Sequence, residues 1–140
     1  MTVTASRREQ LLGAAAGLFA ERGYHDVGID DIGAAAGITG PGVYRHFASK
    51  QALLEALCDR AMTRMLDGAR QLRAQHDDPR EALEALVDLH VELAVRSRTL
   101  LGVWLREQRA LSDGVRRSLR RRQREYERVW RAAAAPLRSD

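Results

Sequence analysis

A chain of 140 residues, 45% hydrophobic and 30% charged, has room for one or two small domains and buries about two-thirds of the surface its unfolded form exposes. Its single cysteine, Cys58, excludes an intrachain disulfide and a cysteine zinc site. Net charge is +4 but unevenly laid out: residues 1–50 are neutral, 51–95 carry −4 and 96–140 carry +8, so a nucleic-acid reading of the N-terminal part has to rest on local geometry. Ser6-Arg7-Arg8-Glu9 interrupts any apolar leader, and no run approaches the ~20 apolar residues of a membrane span. The expectation is a soluble, cytoplasmic protein.

The elements read as helices almost throughout. Ser6 and Glu9 form a capping-box pattern ahead of Leu11, Leu12, Ala15, Leu18 and Phe19, which share one face, and Gly23 supplies a left-handed stop. A second, shorter helix runs from about Ile29 to Ala36 and closes at Gly37. A third follows Thr39, an N-cap residue, and sets Val43 and Phe47 four apart on one face; about eight residues make it about 12 Å long. Ser49 caps a longer helix carrying Leu53, Leu54, Leu57, Ala61, Met62, Met65 and Leu66. Asp78-Pro79-Arg80-Glu81 then supplies a cap, a proline at the first helical position and a capping-box glutamate. The helix after it places Leu83, Leu86, Val87, His90, Val91 and Ala94 inward. Another, near Leu100 to Ala110, holds Leu101, Trp104 and Leu105. Ser112-Asp113 opens the last, with Val115, Leu119, Tyr126, Val129, Trp130 and Ala133, stopped near Pro136. No convincing period-two alternation appears, and the class is all-α.

The glycine-rich stretch "GITGPGVYRHFASK" admits two readings. A nucleotide phosphate loop needs a strand before it and Gly-Lys-Ser/Thr at the helix start; here helical "DIGAAA" precedes, and Lys50 follows Ser49. A helix-turn-helix needs two short helices and a tight turn with a glycine, which Gly37-Ile38-Thr39 supplies. With Val43 and Phe47 inward, the residues left to the outer surface are Gly40, Pro41, Gly42, Tyr44, Arg45 and His46.

From Arg7 to Leu57 the sequence "RREQLLGAAAGLFAERGYHDVGIDDIGAAAGITGPGVYRHFASKQALLEAL" resembles the DNA-binding domain of TetR-type transcriptional regulators, most closely in "LFAERGY", "IGAAAGIT" and "VYRHFASKQALL". The resemblance implies an N-terminal three-helix DNA-binding domain, residues 1–48, and a helical ligand-binding and dimerisation domain, residues 49–140. Relatives usually continue through about two further helices that build a four-helix dimer interface, so it also implies that the second domain is C-terminally short. By the family pattern Gly40, Pro41, Gly42, Tyr44 and Arg45 approach base edges or nearby phosphates, while Thr39, Tyr44, His46 and Lys50 grip the backbone. Arg45 is the candidate for a bidentate guanine contact. Gly28 stands where relatives have a phosphate-touching Thr or Ser, leaving a backbone N–H for that task, and Gly40 and Gly42 replace commoner polar residues. Neutral charge over residues 1–50 implies modest affinity for one copy, hence a homodimer on a palindromic double-stranded operator.

For the second domain the expected partner is a small apolar or acyl-type effector, with Met62, Met65, His90, Leu93, Trp104, Arg109 and Tyr126 as candidate binding residues. His90 reads equally as a core histidine, and the two methionines as core. The run "RRSLRRRQREYERVWR" is either a solvated face or a surface for phosphate groups or an acidic partner. No nucleophile–base–orienter set and no paired metal-ligand spacing appears, so no enzyme activity, metal or cofactor is expected. The function implied is a DNA-binding repressor released by its effector. The alternatives are a helical protein-interaction module that has lost its operator and, less in keeping with the core pattern, a membrane-surface protein.

Overall fold

The structure, a computed structural model, describes residues 5–138. Their regular structure is helical, with no strand among the described residues: α1 (Arg7–Arg22), α2 (Ile29–Ala36), α3 (Gly40–Tyr44), α4 (Lys50–Gln75), α5 (Pro79–Arg96), α6 (Arg98–Glu107) and α7 (Asp113–Ala134), with 3₁₀ turns at Gln108–Ala110 and Ala135–Leu137. The chain divides into two compact units. One holds the described part of Met1–Cys58 together with Thr99–Ser112; the other holds Asp59–Arg98 and the described part of Asp113–Asp140. The first turns of α4 and nearly all of α6 thus belong with the N-terminal helices.

Helix starts follow their capping residues. Ser6 Oγ accepts from the Glu9 N–H at 3.1 Å, Ser49 Oγ from Ala52 N–H at 3.0 Å, and Asp78 Oδ1 from Arg80 N–H at 3.4 Å beside Pro79. The helix ends are more varied. Gly23 has positive φ (87°) but an extended ψ of 152°, so it turns the chain out toward Tyr24 and does not form the expected left-handed cap. Gly37 is left-handed (φ 76°, ψ 27°). The Ile38 N–H reaches Gly33 O at 2.8 Å and the Gly37 N–H reaches Ala34 O at 3.2 Å; this pair of bonds is a Schellman motif, which satisfies carbonyls that the end of α2 would otherwise leave bare.

In the N-terminal unit Leu11, Phe19, Ile32, Val43 and Leu53 are fully buried, and Val27, Phe47, Leu54, Leu57, Cys58, Val103 and Leu111 nearly so. Burial, with Glu55 nearby, pushes the Cys58 thiol up to about 11, so it is a neutral packing group at physiological pH. The other unit centres on Leu66, Ala69, Leu86, Tyr126 and Ala133, with Met65, Leu89, Val129 and Trp130 packed against them.

Three expectations are corrected. α3 is five residues long, not about eight: Gly40, Pro41 and Gly42 are poor helix formers, and after Tyr44 the His46 and Phe47 N–H groups both return to Val43 O at 2.9 and 3.0 Å as a tight turn. On α5 the inward face is narrower than its apolar pattern. Val87, Val91 and Val95 form an exposed stripe and His90 is exposed as well, because Ala82 and Leu86 take the buried positions. On α6 it is Val103 that is buried, while Leu101 and Leu105 are exposed.

Gly33 was not singled out by its sequence context, yet its position is the tightest of the turn: a Cβ there would lie 2.7 Å from the Ile38 carbonyl oxygen and 3.2 Å from Val43 Cγ2. Gly33→Ala is expected to cost about 1–3 kcal/mol in urea unfolding. Gly13→Ala, on the exposed side of α1 with nothing near the new methyl group, is expected to be neutral or stabilising by up to about 1 kcal/mol. Equal effects of the two substitutions would show that the turn is not held by this contact.

Candidate nucleic-acid interface

Side chains of α3 and the turn after it separate cleanly by exposure. Val43 and Phe47 are buried, whereas Thr39, Pro41, Tyr44, Arg45 and His46 are exposed, Tyr44 by 56%. Thr39 Oγ1 accepts from the Gly42 N–H at 3.3 Å and caps the helix. These five residues form one outward ridge on a short helix whose angle is set by the Gly37 turn.

Gly40 and Gly42 are not part of that ridge. Gly40 is buried, and a Cβ there would collide with the Asp30 carboxylate; one at Gly42 would touch Thr39 and Ile38. Both serve the close packing of α3 on α2 and its own turn. Gly28 is exposed at the start of α2, but its N–H already donates to Asp31 Oδ2 at 2.9 Å. The backbone donor expected to face a phosphate is therefore satisfied internally, by a carboxylate that also offsets the positive end of the α2 dipole.

Lys50 is engaged inside the unit too. Its Nζ donates to the Tyr24 carbonyl at 2.7 Å and lies 4.3 Å from the centre of the Tyr24 ring. Tyr24 is itself buried, edge-on to Phe19 with centroids 5.2 Å apart, and its phenol is raised by burial and by Glu107 and Glu55. Beside it, His25 Nε2 lies 2.8 Å from a Glu107 carboxylate oxygen.

The other cations of this region are likewise occupied. Arg7 donates to Ala36 O at 3.2 Å, the Arg8 guanidinium lies 4.4 Å from the centre of the Phe47 ring, and Arg22 is 3.9 Å from Asp31. These partners are 9 to 39 residues away in sequence, which is why no local pattern announced them. Among the described residues of 5–50, Arg45 alone of the arginines and lysine has no hydrogen-bond, ion-pair or cation–π partner. It stands at the exposed end of the ridge.

The candidate effector residues fall into both units. In the second, His90 Nδ1 and Tyr126 Oη share a 2.8 Å hydrogen bond, their rings stack at 5.9 Å, and burial raises the Tyr126 phenol. Met65 packs against the same cluster, and Met62 and Leu93 are half-buried. Trp104, half-buried, and Arg109, exposed, lie in the N-terminal unit.

Two family models match the chain: "Bacterial regulatory proteins, tetR family" over residues 11–57, and "Tetracyclin repressor-like, C-terminal domain" over residues 76–138. The chain is 42% identical over 82 residues to the transcriptional activator FasR of Mycolicibacterium smegmatis, covering 59% of this chain and 37% of that protein. It is 35% identical over 98 residues to the transcriptional repressor KstR2 of Rhodococcus jostii, covering 70% and 48%. It thus spans half or less of the length of these two relatives. Among solved structures it superposes on AibR, captured with isovaleryl coenzyme A and operator DNA, with a TM-score of 0.78 and 25% identity over 94% of this chain and 71% of that one.

The Lys50 geometry makes a direct prediction. Lys50→Ala is expected to lower folding stability by about 1–3 kcal/mol, through loss of a charge-assisted hydrogen bond and a cation–π contact, read as a shift in the urea midpoint. A variant as stable as the parent but weaker on DNA would instead assign this lysine to phosphate contact alone.

Proposed function

Since the chain belongs to the tetR family of bacterial regulatory proteins, we propose that it is a sequence-specific DNA-binding regulator, a repressor released from a palindromic operator by a small apolar or acyl-type effector. In this reading residues 1–48 read the DNA and residues 49–140 carry regulation and dimerisation, and the protein acts as a homodimer in the cytoplasm. The observation that carries it is the ridge of Thr39, Pro41, Tyr44, Arg45 and His46 on a helix anchored by Val43 and Phe47, with Arg45 the uncommitted cation.

The division of labour follows from what each side chain has free. Arg45 presents a planar fork of donors with no internal acceptor, the arrangement suited to the O6 and N7 acceptors of guanine. Tyr44, Thr39 and His46 offer exposed hydroxyl and ring N–H donors suited to backbone phosphates, contacts that set register and carry no sequence information. Pro41 adds an apolar surface that suits a thymine methyl group. With Gly28 and Lys50 engaged internally, few cations meet phosphate per copy, and two copies on two half-sites are needed for useful affinity.

The effector part of the proposal rests on the His90–Tyr126 pair, a polar contact at the edge of the apolar cluster of the second unit, and on the acyl thioester bound by AibR. The relatives include an activator as well as a repressor, and repression is the sign proposed here. The competing reading, an interaction module without an operator, draws on the neutral charge of residues 1–50 and on the Asp31 carboxylate at the α2 N-terminus.

Two measurements test this. In gel shifts with the region upstream of its own gene, Arg45→Ala is expected to weaken binding by about 5- to 150-fold, equivalent to 1–3 kcal/mol, and to relax preference at one base pair per half-site. Absence of any selective binding by the parent protein would favour the interaction module. In a titration with acyl coenzyme A thioesters, binding is expected to weaken operator affinity at least fivefold; a thioester that binds without changing that affinity would sink the effector proposal.

A further inference from the structure

α7 carries eight arginines, and only some are used inside the molecule. Arg122 is drawn inward, bonding to Asp59 Oδ1 at 2.6 Å and Thr63 Oγ1 at 2.9 Å, and Arg116 pairs with Asp113. Arg117, Arg120, Arg121, Arg124 and Arg128 are exposed and have no hydrogen-bond or ion-pair partner among the described residues. Arg131, exposed as well, has only a loose 3.9 Å approach to Glu127.

At about 100° per residue, these six guanidinium groups fall within an arc of about 100° and extend about 21 Å along the helix. The opposite side of α7 is taken up by Leu119, Tyr126 and Ala133, all buried. At the Arg128 end an open depression continues the basic surface onto α4, where Arg73 and Arg70 flank Val129 and Ala132; Arg70 is neutralised there by Glu125 at 2.8 Å.

We propose that this outer face of α7 is a second, sequence-independent contact for the phosphate backbone of duplex DNA. The stripe is long and lies on a convex surface, which suits a repeating polyanion better than a single phosphate ester needing an enclosing pocket. Guanidinium forks match phosphate oxygens in pairs. Insertion into an anionic membrane would require the apolar side of α7 to face lipid, and that side is spent in the core of its own unit. The charge also complements what the reader lacks: residues 1–50 are neutral and residues 96–140 carry +8. The stripe would raise the local concentration of DNA before any base is read, or hold a second segment of duplex.

This inference rests on the DNA-binding proposal, and the test separates the two. Binding to a scrambled 30-base-pair duplex is measured by fluorescence anisotropy between 50 and 200 mM salt. Substituting Arg117, Arg120, Arg124 and Arg128 together by Gln is expected to make the log–log salt slope shallower by about 3–4 and to weaken binding at least tenfold at 100 mM salt. The same four changed to Lys should stay within about threefold of the parent, since a point charge retains most of the counterion release. A control losing equal charge at the exposed Arg64, Arg80, Arg98 and Arg138 should keep the slope within about one.

The proposal is overturned if the parent does not bind the scrambled duplex, or if the Gln variant and the charge-matched control behave alike. It is also overturned if the Gln variant leaves the slope intact and instead loses self-association in sedimentation or binding to phosphatidylserine vesicles. The first of these would point to the acidic edge of α5 on a second copy, Glu81, Glu84, Asp88 and Glu92. Stripe-dependent binding to scrambled DNA, with no duplex bound selectively, would leave this inference standing and remove the operator proposal.

Discussion

The turn between α2 and α3 is the constraint on which the candidate interface depends. It is fixed by two backbone hydrogen bonds, Ile38 N–H to Gly33 O and Gly37 N–H to Ala34 O, and by the absence of a side chain at Gly33, where a methyl group would press on the Ile38 carbonyl. Only a residue tolerant of positive φ can stand at Gly37. Once the turn is set, Val43 and Phe47 enter the core, and the rotation of α3 about its axis has no freedom left. Tyr44 and Arg45 face outward as a consequence, and no contact of their own is needed to hold them there.

Electrostatics divides the molecule differently from the way packing does. In the N-terminal unit cations are used as structural ties: Arg7 donates to the Ala36 carbonyl at the end of α2, Arg8 covers Phe47, and Lys50 pins the carbonyl and ring of Tyr24. Each lies at the surface or only half-buried, so each contributes modestly, but together they join α1 and the α1–α2 connection to α2, α3 and the start of α4. A charge committed to a carbonyl is less available to phosphate. The neutral count of residues 1–50 therefore overstates what the unit can offer DNA, and the arginines of α7 are the main reservoir of free positive charge.

The helices and their caps were legible because capping chemistry is local: Ser6, Thr39, Ser49 and Asp78 each accept from an N–H two or three residues on. The outward set of Tyr44, Arg45 and His46 was legible for a similar reason, since Val43 and Phe47 four residues apart fix one face. What escaped was set by partners distant in sequence. Nothing around Lys50 points to Tyr24, 26 residues away; Asp31, three residues after Gly28, was by contrast a local capping-box signal that could have been read. The exposed Val87 and Val91 were misread as core because periodicity gives the direction of a face and not its width, and Ala82 and Leu86 with their neighbours already fill the space behind α5.

The grouping of Thr99–Ser112 with the N-terminal helices bears on how an effector could be sensed. α4 runs unbroken from Lys50 to Gln75 and so belongs to both units. Two further ties reach the end of α6 and the residues just beyond it: Glu107 lies 2.8 Å from His25 in the α1–α2 connection, and the Ser112 N–H donates to Glu55 at 2.8 Å. His25 adjoins Tyr24, whose carbonyl holds Lys50 at the start of α4. A displacement of α6 would thus be felt at the residues preceding α2, through the contact between His25 and Glu107. Under the proposed function, regulation of the reader would require no change within α3 itself, only a shift of the connection leading into α2, to which the Gly37 turn ties α3.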